Sequence, residues 1–125
     1  MIHRFCVAPM MDRTDRHERF FLRSLTKKAY LYTEMINAQA ILYGKTEELL
    51  MHDPSEHPIG IQLGGNDPAI LTEAAIIAET YNYDEINLNI GCPSSKVQSG
   101  QFGAILMKNP ELVSRCVEEI KKKVK

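Results

Sequence analysis

Cys92 is the residue of this chain best placed to do chemistry. It lies in the run Asn87-Leu88-Asn89-Ile90-Gly91-Cys92-Pro93-Ser94, continued by Gly100-Gln101-Phe102-Gly103-Ala104. A short strand here enters a Gly-Cys-Pro-Ser turn and then a glycine-rich loop. One thiol therefore stands at a strand mouth, where packing does not call for cysteine. As a nucleophile it would need a base to form thiolate, and His3, His17, His52 and His57 fall in no recognisable pairing motif. An ordinary thiol is mostly protonated at neutral pH, which suits a general acid. A free cysteine is also a small hydrophobe that packs in cores; that reading fits Cys6, inside a strand, and Cys116, on an apolar helix face. Asn87 and Asn89 share one strand face, with Ile86 and Leu88 on the other. Carboxamides both donate and accept. With Gln62 on a neighbouring strand, these amides suit the edge of a flavin or a pyrimidine; a closed hydrogen-bond network in the core is the alternative. Gly91, Gly100 and Gly103 allow tight turns, but no P-loop is present and no G-x-G-x-x-G follows a strand.

These residues need elements to hold them, and the hydrophobic pattern alternates strand and helix. Residues 5–8 are a short apolar run closed by Pro9, a first strand. Residues 15–25 read as a helix with Phe20, Phe21 and Leu25 on one face and Arg16, Arg19 and Arg23 on another. Residues 30–33 form a second strand, and residues 36–42 a short helix stopped by Gly44. Asp53-Pro54 and His57-Pro58 punctuate a loop. Residues 59–63 form a third strand, halted by Gly64-Gly65. Asp67-Pro68 opens a helix to about Tyr81, with Asp as cap and Pro at its first position. Its apolar stripe is Leu71, Ala75 and Ala78 with Ile70, Ala74 and Ile77. Residues 85–89 form a fourth strand. Asn109-Pro110 opens a last helix, with Leu112, Val113, Cys116 and Ile120 inward and Lys121, Lys122 and Lys123 suiting its C-terminus.

Strands alternating with helices predict an α/β fold of parallel βαβ units. Ligands in such folds gather at the carboxyl ends of the strands. Pro9-Met10-Met11-Asp12, Glu34, Gln62, Gly64-Gly65, Asn87, Asn89 and Cys92 all fall on that rim.

A length of 125 residues is one domain or a piece of one. Hydrophobic content of 44% and charged content of 25% are those of a globular protein. The net charge of −1 does not announce a nucleic-acid binder, yet residues 51–90 contain no Lys or Arg and the basic groups gather towards the two ends. A basic rim is compatible with a polyanion at one edge. The three cysteines are far apart and make no disulfide framework or zinc spacing. No metal site is expected, and a reducing compartment is. No signal run or membrane span is legible; the expectation is a cytoplasmic protein without a membrane partner.

Several motifs together resemble one family. Val7-Ala8-Pro9-Met10-Met11-Asp12, Leu31-Tyr32-Thr33-Glu34-Met35, Gln62-Leu63-Gly64-Gly65 and the Cys92 run are similar to the tRNA-dihydrouridine synthases, in particular the A-type bacterial branch. Asp12-Arg13-Thr14-Asp15-Arg16-His17 and Val97-Gln98-Ser99-Gly100-Gln101-Phe102-Gly103-Ala104 extend the likeness over essentially the whole chain. The resemblance implies a TIM barrel holding FMN, followed by a helical domain that grips tRNA. It implies reduction of D-loop uridines, at positions 20 and 20a, to dihydrouridine. NADPH is the implied reductant and FMN the hydride donor. Cys92 would be the proton donor, Pro9, Met10, Met11 and Gln62 would bind FMN, and Asn89 would hold the uracil flipped out of its stack.

A TIM barrel needs about 250 residues. The chain thus resembles the first four βα units of a (β/α)8 barrel, a half-barrel that looks truncated. Residues 1–125 would be the N-terminal part of the FMN-binding domain, with the C-terminal half-barrel and the helical tRNA-binding domain absent. Such a piece is expected to be inactive alone and to hold FMN weakly or not at all. Two alternatives stay open: an FMN-barrel dehydrogenase of a free pyrimidine such as dihydroorotate, and a non-catalytic half-barrel that self-associates through its exposed edges.

Overall fold

The structure is a computed structural model that describes residues 3–125. Its sheet has three parallel strands in sequential order: β1 (Leu31–Asn37), β2 (Ile59–Gly64) and β3 (Glu85–Leu88). Residues 5–8, expected as a strand, hold to the β1 side by a single parallel bridge, Cys6 to Tyr30. Val7 N–H donates to Tyr30 O (2.9 Å) and Tyr30 N–H to Phe5 O (3.0 Å). Pro9 has no N–H with which to extend this ladder. Bridge and strands together give the sequential parallel order of an opening βα barrel.

Six helices accompany the sheet: α1 (Arg16–Leu25), α2 (Ala38–Tyr43), α3 (Thr46–Leu50), α4 (Pro68–Glu79), α5 (Ser95–Ser99) and α6 (Pro110–Lys123). Two 3₁₀ turns, Pro54–Glu56 and Gly103–Lys108, complete the elements among the described residues. The helix starts at Asp67-Pro68 and Asn109-Pro110 form as expected, with Asp67 accepting from Ala69 and Ile70 N–H and Asn109 from Leu112 N–H. The segment after β1 differs from expectation. Ile36 and Asn37 extend the strand because Ile36 pairs with Leu63 and is buried with it. Asn37 then caps α2 by accepting from Gln39 N–H (2.8 Å).

The two sheet faces differ in chemistry, and the register shows how. The rows Leu31–Ile59, Ile61–Ile86 and Ile36–Leu63–Leu88 put aliphatic side chains on the helix side. There Ile36, Ile61, Leu63, Ile86 and Leu88 pack with Ile41, Leu71, Ala75, Ala78 and Cys116 in one core, and Leu31 and Ile59 pack with Ala29, Val7 and Leu22 in a second. The intervening rows, Tyr32–Gly60–Glu85 and Met35–Gln62–Asn87, lie on the opposite face, the inner face of a barrel. Tyr32 O–H donates to Glu85 (2.7 Å). A Cβ at Gly60 would lie 2.6 Å from the Tyr32 ring, so only glycine leaves room for that side chain.

Helix α1 packs through its arginine face rather than its apolar one. Arg19 and Arg23 are 5% and 4% exposed, while Phe20, Phe21 and Leu25 are 55%, 59% and 68% exposed. The reason is Glu56, 1% exposed beneath the helix. Arg19 Nε meets Glu56 Oε2 at 2.6 Å, and Arg19 Nη1 donates to Thr14 O (2.7 Å). Arg23 Nη2 donates to Glu56 O (2.9 Å) and Pro58 O (3.0 Å), and Arg23 Nη1 to Thr26 O (3.0 Å). Glu56 Oε1 in turn accepts from Asp53 N–H (2.8 Å). Burial pushes the Arg23 guanidinium below its ordinary value, opposed by the charges of Glu56 and Asp84. The rigid fork of arginine suits such multiple bonding, and burial is tolerable because the donors are shared among fixed acceptors.

Two outcomes are expected. Glu56→Ala leaves a buried guanidinium without its carboxylate and should lower the unfolding free energy by about 3–5 kcal/mol in urea titration. At the start of α1, the N–H groups of Glu18 and His17 hold the Asp15 carboxyl below its ordinary range. The folded chain therefore binds this proton less tightly than the unfolded chain. The cap's contribution is complete above about pH 4 and is lost as the pH falls below it. Asp15→Asn, which keeps a capping oxygen without the titration, should flatten that part of the stability–pH profile.

Candidate functional site at the strand ends

The rim is set by a bulge in β1. Pairing jumps from Tyr32–Gly60 to Met35–Gln62, so Thr33 and Glu34 oppose Ile61 alone. The bulge deprives Gln62 N–H of a strand carbonyl, and Thr33 Oγ1 accepts from it instead (3.0 Å). Glu34 is carried out of the ladder, and its carboxylate accepts from Asp12 N–H. That bond ties β1 to the loop after the first bridge. The same loop is closed on Thr14: Met10 N–H donates to Thr14 Oγ1 (3.0 Å), and Thr14 N–H to Met10 O (3.0 Å). Met10 and Met11 are exposed within it, and Pro9 is half-buried.

Across β2 and β3 the amides join into a chain. Gln62 Nε2 donates to Asn87 Oδ1 (2.8 Å), and Asn89 Nδ2 donates to Gln62 Oε1 (2.8 Å). Asn89 Oδ1 accepts from Cys92 N–H (3.0 Å) and Gly91 N–H (3.2 Å). The network anticipated as an alternative to ligand binding is therefore formed. It still leaves one N–H on each of Gln62 and Asn89 and both on Asn87, so the row keeps donors to spare.

Cys92 is half-buried and packs against a small cluster of Val97, Phe102 and Leu106. The loop thus uses the thiol partly for packing, which its sequence did not indicate. Ser94 caps α5 by accepting from Val97 N–H. Ala104 N–H then donates back to Cys92 O (2.9 Å), which closes the loop over the cysteine. Gly103, at φ +70°, makes this closure possible: a Cβ there would lie 2.6 Å from Cys92 O and 2.5 Å from Val97. Burial raises the Cys116 thiol above its ordinary value deep in the α4–α6 core, away from this loop, which agrees with a packing role for it.

A cleft of about 1150 Å³ runs along the rim and brings Met11 and Cys92 together with Arg16, His17 and Lys96. Pro9, Met10, Gln62 and Asn89 do not line it. Gln62 and Asn89 instead adjoin it through the backbone of Cys92. Sequence reasoning placed Glu34 on the rim but missed the bulge, the bond of Thr33 to Gln62 and the bond of Glu34 to Asp12. The only signal available was a polar pair inside an otherwise apolar strand. Among the described residues no group of three or more His, Cys, Asp or Glu is placed to hold a metal ion. No helix among them is long and apolar enough to cross a membrane.

A sequential parallel βα sheet with amides and a thiol at its carboxyl rim defines the class, part of a domain of the βα-barrel type. The sequence profile of the dihydrouridine synthase (Dus) family matches residues 6–125. The chain belongs to this family. It is 58% identical over 123 residues to a tRNA-dihydrouridine(20/20a) synthase of Synechocystis sp., covering 98% of this chain and 37% of that protein. It is 57% identical over 114 residues to a protein of the same name from Xanthomonas axonopodis pv. citri, covering 91% of this chain and 34% of the relative. The Escherichia coli protein of that name is 54% identical over 118 residues, 94% of this chain and 34% of its own length. The chain spans about a third of the length of the curated relatives it matches.

Gly103→Ala forces a side chain into the left-handed region and against the Cys92 carbonyl. It should cost about 1–3 kcal/mol and speed hydrogen exchange in the 92–104 loop more than in β2, as measured by peptide-resolved mass spectrometry.

Proposed function

We propose that this chain forms part of an enzyme that reduces uridine in the tRNA D-loop, at positions 20 and 20a, to 5,6-dihydrouridine, with Cys92 as the proton donor. The name that the relatives share, tRNA-dihydrouridine(20/20a) synthase, supports the reaction and the positions. The observation that carries the residue assignment is the seat of Cys92, held at the mouth of β3 by the Asn89 carboxamide in a cleft shared with Met11.

The residues present fit the ring of FMN. Gln62, with one amide N–H uncommitted, can read a ring edge of carbonyl and N–H groups. The loop Pro9, Met10, Met11 offers backbone groups and polarizable thioethers, held in place by Glu34 and Thr14. When bound, FMN reduced by NADPH supplies the hydride for C6 of the uracil. Asn89 keeps one N–H for a uracil carbonyl while its oxygen holds the Cys92 turn. Cys92 Sγ–H gives its proton to C5, and the thiolate is reprotonated from solvent. The target base must leave its stack to reach this site. Arg16, His17 and Lys96 on the cleft suit the tRNA backbone, whereas Glu34 and Asp15 are occupied by backbone N–H groups.

In this reading residues 1–125 supply the N-terminal part of an FMN-binding barrel in the cytoplasm, and the remaining length of the relatives supplies the rest of the barrel and the tRNA-gripping domain. The Cys92→Ala form of the full-length enzyme should lose dihydrouridine formation by about 10²–10⁴-fold while NADPH still bleaches the flavin. Loss of flavin reduction in that variant would show Cys92 to be structural and overturn the assignment.

A further inference from the structure

Asn87 does not line the rim cleft and, among the described residues, makes no side-chain hydrogen bond to Cys92, Met10 or Met11, yet it ends the amide chain that reaches the cysteine. The direction of that chain is set by elementary valence. The backbone N–H groups of Gly91 and Cys92 can only donate, so Asn89 must turn its oxygen to them. Its Nδ2 then faces Gln62, which must present Oε1. Gln62 Nε2 is left facing Asn87, which must present Oδ1. Each amide has one orientation that satisfies its neighbours, and reversing any one sets donor against donor or acceptor against acceptor. Gln62 cannot slide away to relieve such a conflict, because its backbone N–H is held by Thr33 within the bulge.

We infer that Asn87 is a positioning residue for Cys92. By accepting from Gln62 Nε2 it anchors the Gln62 carboxamide whose oxygen holds Asn89, and Asn89 holds the Gly91-Cys92 turn. The carboxamides at the flavin edge and at the uracil are thereby one mechanical unit with the proton donor. The consequence for turnover rests on the function proposed above; the structural inference does not.

The test compares Asn87→Leu, which cannot accept, with Asn87→Asp, whose carboxylate still can, in the full chain. Hydrogen exchange at Gly91 and Cys92 is read by NMR against Leu63 and Asn89 as internal references. The leucine variant should exchange about tenfold faster at Gly91 and Cys92 alone, and the aspartate variant should restore protection. A leucine variant that protects these two amides as the parent does, or an aspartate variant that folds and fails to restore them, overturns the inference. If Asn87→Leu does not fold, Gln62→Met, which deletes both side-chain contacts at similar length, must show the same selective exchange. Alkylation of Cys92 by iodoacetamide should change rate in the leucine variant and return to the parent rate in the aspartate variant. The assignment of Cys92 as proton donor fails separately, if Cys92→Ala retains dihydrouridine formation whatever the exchange pattern shows.

Discussion

The rim of this sheet depends on the need to give partners to the backbone N–H and to both side-chain polar atoms of Gln62, which is 8% exposed. An amide left unpaired at that depth costs about 1–3 kcal/mol. Its backbone N–H is met by Thr33 only because β1 carries a bulge. Its side chain is met by Asn87 and Asn89 only because the register puts Asn87 beside it. From the same bulge Glu34 reaches the Pro9–Asp12 loop, and from Asn89 the network reaches Cys92. One strand irregularity and one glutamine thus tie the sheet to two loops that are far apart in sequence.

A second polar cluster serves the fold rather than the site. Arg19, Arg23 and Glu56 bind α1 to the loop ahead of β2 at a place where an apolar contact would be ordinary. An ion pair this deep gains from Coulomb attraction mainly by offsetting its own desolvation. Its value is directional: guanidinium nitrogens find carbonyls of Thr14, Thr26, Glu56 and Pro58 and so fix both ends of the helix. Arg19 also reaches the Thr14 turn, which closes the methionine loop. The outward face of α1, with Phe20, Phe21 and Leu25, is left exposed as a result.

Much of this was legible in the chain, because it is written in local chemistry. The caps at Asp67 and Asn109 each place an acceptor against free helix N–H groups a few residues away, whereas Asp15, read as part of its helix, proves to be the cap. The alternation of Asn87, Leu88 and Asn89 follows from strand geometry alone. The short helices α3 and α5 were not legible. Five-residue segments have little intrinsic stability and exist because Leu50 and Val97 are buried by distant partners. The face that α1 would bury was equally hidden, since amphipathic spacing shows two faces without saying which meets the core.

The sequence by itself determined the βα alternation, the helix starts, the thiol at the mouth of the last strand and the amides two residues apart. Those depend on neighbours within a turn or on side-chain period. Only the tertiary structure decided the bulge at Thr33-Glu34, the burial of Arg19 and Arg23, and the linkage of Asn87 through Gln62 to Cys92. Each joins residues that share no local pattern, and each is settled by which donors and acceptors meet once the strands align and water is excluded.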